Sequence, residues 1–342
     1  MHIPDGYLGP ITFVALYVVM IPIWLYAGHW VQKSLRSRQV PYLALAAAFS
    51  FVIMMFNVPV PGGSSGHAVG SALVAIILGP WTAVVTTSVA LLIQCLLFGD
   101  GGVTAFGANC FNMGVVIPYL SYAIYRALSR NTPLESPRRP LAAAFGGWVG
   151  VTVGAFFAGV EFGIQPLLFK AADGSPLYAP YPLSVSIPAM VIPHALIASV
   201  VEGLLTGLVL VYLQRSNIAV LQTAEKPALA AEAGSFQKLG WLWAGLIVLI
   251  VASPLGLLAP GTAWGEWGTD ELTAMGLKSV PAGLAQLSNL WGAPMAGYDL
   301  PILGNANLGY ILSAVVGIAV IAIVVWLFLT LLTRRSGSRA NN

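Results

Sequence analysis

Charged residues are scarce in this sequence. They make up 8% of its 342 residues, whereas hydrophobic residues make up 58%. A soluble domain carries roughly 25% charged residues, so the composition excludes an ordinary soluble protein. Several apolar runs approach the ~20 residues that a helix needs to cross a bilayer. The sequence therefore predicts an all-α integral membrane protein.

Other absences exclude further classes. The chain opens without a basic segment, short apolar run and cleavage site, so we expect no cleaved signal peptide and expect residue 1 to begin the mature protein. Two cysteines, Cys95 and Cys110, lie in apolar stretches, which argues against a disulfide framework. There is no GxxxxGK[ST] motif for ATP and no HExxH motif for a zinc protease.

Nine apolar segments predict helices. The third is too short to cross a bilayer in contact with lipid, but it can cross if other helices surround it. With nine crossings and the N-terminus outside, the cytoplasmic side receives all of the 15 basic residues except Lys170 and Lys278. The C-terminus is then cytoplasmic. The segments are 11–29, 41–57, 68–79, 81–98, 103–125, 141–162, 186–213, 240–258 and 308–332.

A change in composition divides the chain. Residues 214–239 are rich in alanine, carry charges and lack a long apolar run, which predicts a cytoplasmic linker. It separates a seven-helix domain, 1–213, from a two-helix hairpin, 240–342, that encloses an outer loop rich in glycine, proline and tryptophan. The predicted outer face is mildly acidic and would concentrate cations. Its acidic residues are Asp5, Asp100, Asp173, Glu266, Asp270, Glu271 and Asp299.

The N-terminal Met-His pair is a candidate metal chelate. A metal on the Met1 amine closes a five-membered ring through the His2 amide nitrogen and a six-membered ring through His2 Nδ1. Such planar nitrogen sets suit Ni(II) and Cu(II). His67 ends the glycine-rich loop VPVPGGSSGH on the same predicted side and can supply a fourth nitrogen. Ser64 and Ser65 could orient its imidazole.

Two further polar pairs are candidates. Asn109 and Asn112 lie three residues apart, on one helix face, and could bond to the His67 loop or to the N-terminal segment; interhelical hydrogen bonding explains them as well. His194 and Glu202 lie eight residues apart within one predicted span, so they face roughly the same side. Either a functional intramembrane site or a structural hydrogen-bonded pair accounts for them. We interpret His29 as an interfacial residue.

The motifs MHIPDGYL (1–8), GGSSGHAVG (62–70), GANCFNMG (107–114) and PHALIASVVEG (193–203) resemble the CbiM/NikM family. These proteins are the substrate-binding components of energy-coupling-factor (ECF) transporters for cobalt and nickel in prokaryotic inner or plasma membranes. The resemblance implies a seven-helix fold with the N-terminus inserted into the bundle. It implies metal ligands at Met1, His2 and His67, and neighbouring roles for the serines and asparagines named above.

The C-terminal part, 240–335, resembles the companion subunit CbiN or NikN, although Leu255 and Leu258 stand where that family commonly has acidic residues. The resemblance implies a transmembrane coupling subunit and two ATPase subunits as partners. It implies Ni2+ or Co2+ as the transported substrate, with no separate cofactor and no nucleic acid. The planar nitrogen set and the fused form favour nickel.

Two other functions compete with this interpretation. A secondary metal-ion transporter would carry inverted repeats and midplane carboxylates, and only Glu161 and Glu202 lie within predicted spans. An intramembrane metalloenzyme would be centred on His194 and Glu202, yet Ala195 follows His194 where a metalloprotease motif needs glutamate.

Overall fold

The structure is a computed structural model that describes residues 1–34, 40–60, 64–216, 240–259, 261–277 and 279–339. Helices dominate it, which confirms the predicted all-α class. They are α1 (Pro10–Ser34), α2 (Val40–Met54), α3 (Ser71–Leu78), α4 (Pro80–Ile93), α5 (Phe106–Asn109), α6 (Ile117–Leu128), α7 (Arg138–Gly163), α8 (Gln165–Leu168), α9 (Leu183–Pro193), α10 (Ser199–Ser216), α11 (Gly240–Ala252), α12 (Thr269–Ala274), α13 (Ala282–Leu287) and α14 (Ala306–Arg339).

Three of the predicted spans each contain a wider π-helical turn, and the chain stays helical through it. Gln94–Phe98 extends α4, Cys110–Val116 joins α5 to α6, and His194–Ala198 joins α9 to α10. Such turns concentrate at functional sites. Two of them carry residues singled out from the sequence, Asn112 and His194.

Six helical stretches of the described chain are long and apolar enough to cross a membrane. They are Pro10–Lys33, Pro80–Phe98, Arg138–Leu168, Leu183–Ser216, Gly240–Leu258 and Ala306–Leu327, and a shorter apolar helix covers Pro41–Met54. Helix α3 has 8 residues and rises about 12 Å, too little to span a bilayer. Its residues from Ser71 to Ile76 are buried, so protein surrounds it as predicted.

Helix α7 packs against α6, α9 and α10. Glycines permit the close approach to α6: a Cβ on Gly146 would lie 2.7 Å from the carbonyl oxygen of Ser121, and one on Gly150 would lie 2.9 Å from that of Ile117. Small residues at this spacing are typical of membrane helices in tight contact. The bundle thus presents a firm scaffold beneath the loops at one end.

The C-terminal hairpin packs on the rest of the chain. Helices α11 and α14 contact α2, and α14 also contacts α4. The segment between them folds over the end of the bundle where the N-terminus lies. The amide N–H of Leu284 donates to the carbonyl of Leu177, and Trp291 Nε1 donates to that of Leu96. Of the predicted linker, Gln214–Ser216 complete α10 and 217–239 lie outside the described residues.

Candidate metal centre

The first residues of the chain are buried within the protein. Met1 and His2 are each 2% exposed, and Ile3 is fully buried. The Ile3 N–H donates to Asn109 Oδ1 at 2.8 Å, and Asn109 Nδ2 donates back to the Ile3 carbonyl at 3.1 Å. The Gly102 N–H donates to the same carbonyl. These bonds satisfy the buried backbone and fix the position of His2 next to it.

Asp5 ties the same segment to the loop after α4. Its carboxylate accepts hydrogen bonds from the backbone N–H groups of Val103 and Thr104, at 2.9 and 2.7 Å. Gly102 makes this approach possible, because a Cβ there would lie 2.2 Å from the Asp5 nitrogen. The motif that follows His2 therefore anchors the terminus on the bundle.

His67 reaches the terminus from a short β-ribbon. Strands β1 (Val58–Val60) and β2 (Ser64–Gly66) pair antiparallel, with Val58 opposite Gly66, where the sequence predicted only a loop. His67 follows β2 directly. Its Nδ1 lies 3.0 Å from the Ala68 carbonyl oxygen, which places the ring hydrogen on Nδ1 and leaves a lone pair on Nε2. That Nε2 lies 3.2 Å from His2 Nδ1.

Two carboxylates complete the cluster, and one of them comes from the C-terminal part. Asp100 Oδ1 lies 3.0 Å from His2 Nδ1, and Glu266 Oε1 lies 3.1 Å from the Met1 amine. Candidate ligand atoms of His2, Asp100 and Glu266 all lie within 4.8 Å of one another. Nitrogen and oxygen donors from three distant parts of the sequence thus converge on one point, where His2 is buried and both carboxylates are half-buried.

A hydrogen-bond network holds the Asp100 carboxylate. Its Oδ2 accepts from the Tyr298 hydroxyl at 2.5 Å and from Gln94 Nε2 at 3.2 Å. Although burial opposes ionisation of Asp100, the neighbouring His2 keeps the pKa of this carboxyl below its usual range. Asp100 therefore stays an anion beside His2, and Tyr298 reaches it from the segment between α11 and α14.

The arrangement of lone pairs calls for a cation. His67 Nε2 and an Asp100 oxygen both face His2 Nδ1, and they repel unless a proton or a metal ion lies among them. Two nitrogens that bind one metal at ~2.0–2.1 Å and at right angles lie about 2.9 Å apart. The 3.2 Å between His2 Nδ1 and His67 Nε2 is close to that spacing. Small shifts would admit an ion in place of the shared proton.

Burial, with the adjacent Met1 amine and His2, keeps the pKa of His67 well below its ordinary value. The His67 imidazole consequently remains neutral at neutral pH and in mild acid. A neutral imidazole is the form that binds metal.

Comparison with known families adds an independent observation. Residues 2–220 match the CbiM family, described as the cobalt uptake substrate-specific transmembrane region. The chain belongs to the CbiM family. Residues 239–334 match a second family, the PDGLE domain.

Relatives of this CbiM family member are transport proteins. It is 46% identical to a fused nickel transport protein, NikMN, of Rhodobacter capsulatus, over 98% of this chain and 100% of that one. It resembles the crystal structure of a transition metal transporter, with 47% identity, a TM-score of 0.60 and 65% of this chain covered against 98% of that one. The crystal structure of a truncated transition metal transporter gives 48% identity and a TM-score of 0.58, with 62% of this chain and 98% of that one covered. The chain is thus a multi-pass membrane component of transition-metal transport and not an enzyme.

The structure separates the two asparagines. Asn109 bonds to the N-terminal segment, one of the two partners expected for it. Asn112 Nδ2 instead donates to Glu161 Oε2 on α7 at 2.7 Å. Ser64 and Ser65 belong to β2, and the hydrogen bonds of the described residues link His67 Nδ1 to Ala68 and not to either serine. An orienting role for the two serines stays a prediction.

His194 and Glu202 have different surroundings. The Glu202 carboxyl group accepts from the N–H groups of Val69 and Gly70, each at 2.8 Å, and from that of Ala72 at 3.4 Å, so it caps the N-terminus of α3. His194 Nδ1 faces the Met190 carbonyl at 2.7 Å. A π-helical turn lies between the two residues. The angle between them about the helix axis therefore differs from the angle that ordinary helical spacing predicts.

Sequence reasoning missed Asp100 and Glu266 as members of the site. Both were noted only as part of an acidic outer face. Asp100 follows a span and precedes two glycines, a pattern of close chain approach that could have indicated it. No local pattern around Glu266 points to a partner 265 residues away.

Proposed function

We propose that this protein is the substrate-specificity component of an ECF-type importer and captures Ni2+ or Co2+ at its N-terminus. The ligands are the Met1 amine, the amide nitrogen and Nδ1 of His2, and His67 Nε2. The observation that carries the proposal is the 3.2 Å contact of two buried imidazole nitrogens beside the chain terminus. The NikMN relative, named as a nickel transport protein, supports the metal class.

The donor set favours nickel. Three nitrogens of one dipeptide lie in one plane, and the His67 imidazole completes a square around the ion. Square-planar nitrogen coordination suits Ni(II) among the two candidates. Capture removes one proton from the ammonium and one from the His2 amide, while the proton between His2 Nδ1 and His67 Nε2 moves to His2 Nε2, so no third proton is lost and affinity falls in acid.

Charge balance makes capture compatible with burial. The ion brings two positive charges, and the two released protons remove two. The site therefore keeps a single net positive charge on its nitrogen side, before and after binding. Asp100 and Glu266 face that charge in both states, so the cost of burying it changes little.

Energy for import has to come from partners. The sequence lacks a P-loop, and the ECF arrangement supplies two ATPase subunits and a transmembrane coupling subunit. The distribution of basic residues favours an extracytoplasmic N-terminus and metal site, with the C-terminus in the cytoplasm. The ion would enter at the outer face and leave after ATP-driven rearrangement of the bundle.

The decisive experiment adds one glycine before Met1. Purified protein with either terminus is titrated with Ni2+ and Co2+ in competition. We expect the glycine to weaken binding at least about 1,000-fold, ~4 kcal/mol, because it moves the amine away from His2. A glycine added after Asn342 is the control. Equal affinity of both N-terminal forms would refute the chelate, and transport by the chain without ATPases would refute the ECF assignment.

A further inference from the structure

A cavity of about 330 Å³ lies next to the proposed chelate. Met1 forms part of its wall, so the cavity and the metal site share a boundary. The β-ribbon contributes Ser64 and Ser65, the outer loop of the hairpin contributes Trp264 and Trp267, and the α9–α10 span contributes His194. The cavity therefore extends from the loops at this end of the bundle to the first half of a helical stretch long enough to cross a membrane.

His194 lines this cavity and has a ring nitrogen without a partner among the described residues. The residue is 7% exposed. Its Nδ1 lies 2.7 Å from the Met190 carbonyl oxygen, which assigns the ring hydrogen to Nδ1 and a lone pair to Nε2. That Nε2 is buried and has no hydrogen-bond partner among the residues that the structure describes. A buried imidazole nitrogen normally has one, so this atom points to a ligand.

Both volume and chemistry fit a hydrated transition-metal ion. Six waters at ~30 Å³ each occupy about 180 Å³, less than the cavity offers. A neutral imidazole nitrogen suits nickel, cobalt, copper and zinc, whereas magnesium and calcium prefer oxygen. The serine side chains and water would complete the coordination. With one protein nitrogen, binding is much weaker than at a four-nitrogen chelate, and the ion can move on.

We propose that the cavity is a second, transient transition-metal site, in which a small rotation of the His194 ring lets its Nε2 bind a hydrated ion that exchanges with the Met1–His2 chelate. The proposal rests on the proposed function, because it assigns the second site to the same cargo. His194 would take the ion while Met1 and His2 lose their protons, so that water is removed from the ion in steps.

The test uses Co2+ titration of the full chain, followed by its visible absorption. In chains with the extra N-terminal glycine, we expect one remaining equivalent that binds at least about 100-fold more weakly than the tight site of the native form. The additional substitution H194Q should abolish this equivalent. H29Q in the same background is the matched control, because His29 is exposed on α1, and the equivalent should persist.

Kinetics give a second readout. In chains with the native terminus, H194Q should slow stopped-flow Co2+ association about tenfold, and thermal unfolding checks that the variant is folded. A weak equivalent that survives H194Q, or no weak equivalent in the glycine-extended chain, would overturn the proposal. Failure of the chelate itself is a different result: the tight site would then withstand the added glycine.

Discussion

Glu202 and Glu266 lie in two regions that use a carboxylate differently. Glu202 is fully buried in the helical bundle, and backbone N–H groups at and just before the start of α3 donate to both of its oxygens. Glu266 belongs to the segment between α11 and α14, and its partner is the Met1 amine, a group that can also bind a metal ion. Burial of an acidic residue is therefore a poor guide to function on its own. The hydrogen-bond partner distinguishes the two roles. Backbone N–H donors indicate a structural role for the carboxylate, and a group able to bind metal indicates a candidate metal site.

The largest effect is expected at the structural member of this pair. Glu202→Ala removes the acceptor of three buried N–H groups, two of them at 2.8 Å, and each group left unpaired costs about 1–3 kcal/mol. We expect the free energy of unfolding in detergent to fall by about 3 kcal/mol. Glu135→Ala, at an exposed position, is the control and should change it by less than about 0.5 kcal/mol. If the Glu202 variant were as stable as the native protein, the structural role of this residue would be refuted.

Asn109 and Asn112 show the same contrast between a residue next to the candidate site and a residue that bonds elsewhere in the bundle. Asn109→Ala removes both side-chain bonds to Ile3, so the terminus loses its position and nickel affinity should fall about 30-fold, ~2 kcal/mol. Asn112→Ala removes a bond to Glu161 and none to the N-terminal segment, so affinity should stay within about threefold. Calorimetric titration of both variants measures the difference. Equal losses would mean that the chelate does not depend on this anchor.

Acid should destabilise the metal-free protein through His67. Its folded-state pKa lies below the ordinary value, so at pH below about 6.5 the unfolded chain binds the proton and the folded chain does not. Stability therefore decreases as pH falls through this range. Between pH 6.5 and 5.5 we expect a loss of about 1 kcal/mol that His67→Asn does not show, measured by denaturant titration at each pH. Parallel pH profiles of the two proteins would contradict the burial of a neutral imidazole.

The smallest effect sharpens the role of Glu266. If this carboxylate only balances charge, Glu266→Gln disturbs the metal-free and the metal-bound states alike. Nickel affinity should then change by about threefold or less, ~0.6 kcal/mol, in a competition titration. A loss of 100-fold or more would instead make Glu266 a direct ligand of the ion.

The sequence predicted the helical membrane class and the elements of the fold because apolar runs and basic loops depend on local composition. The proximity of His2 and His67 also followed, since both were assigned to one side of the membrane. The partners of Asp100 and Glu266 did not follow, because their contacts join loops that are distant in sequence. The separate environments of His194 and Glu202 depend on a π-helical turn. Such a turn cannot be predicted from helical periodicity.

The contact between Glu266 and Met1 also has a consequence for how the two parts of the chain meet. Because one polypeptide contains both, the outer loop reaches the terminus in an intramolecular step. A covalent connection raises the effective concentration of one part of a chain at the other. A hairpin made as a separate polypeptide would need a comparable local concentration, or additional contacts, to cover the site as often. Fusion thus fixes the ratio of the helical bundle to the C-terminal hairpin at one to one, and the two parts need no strong affinity for each other.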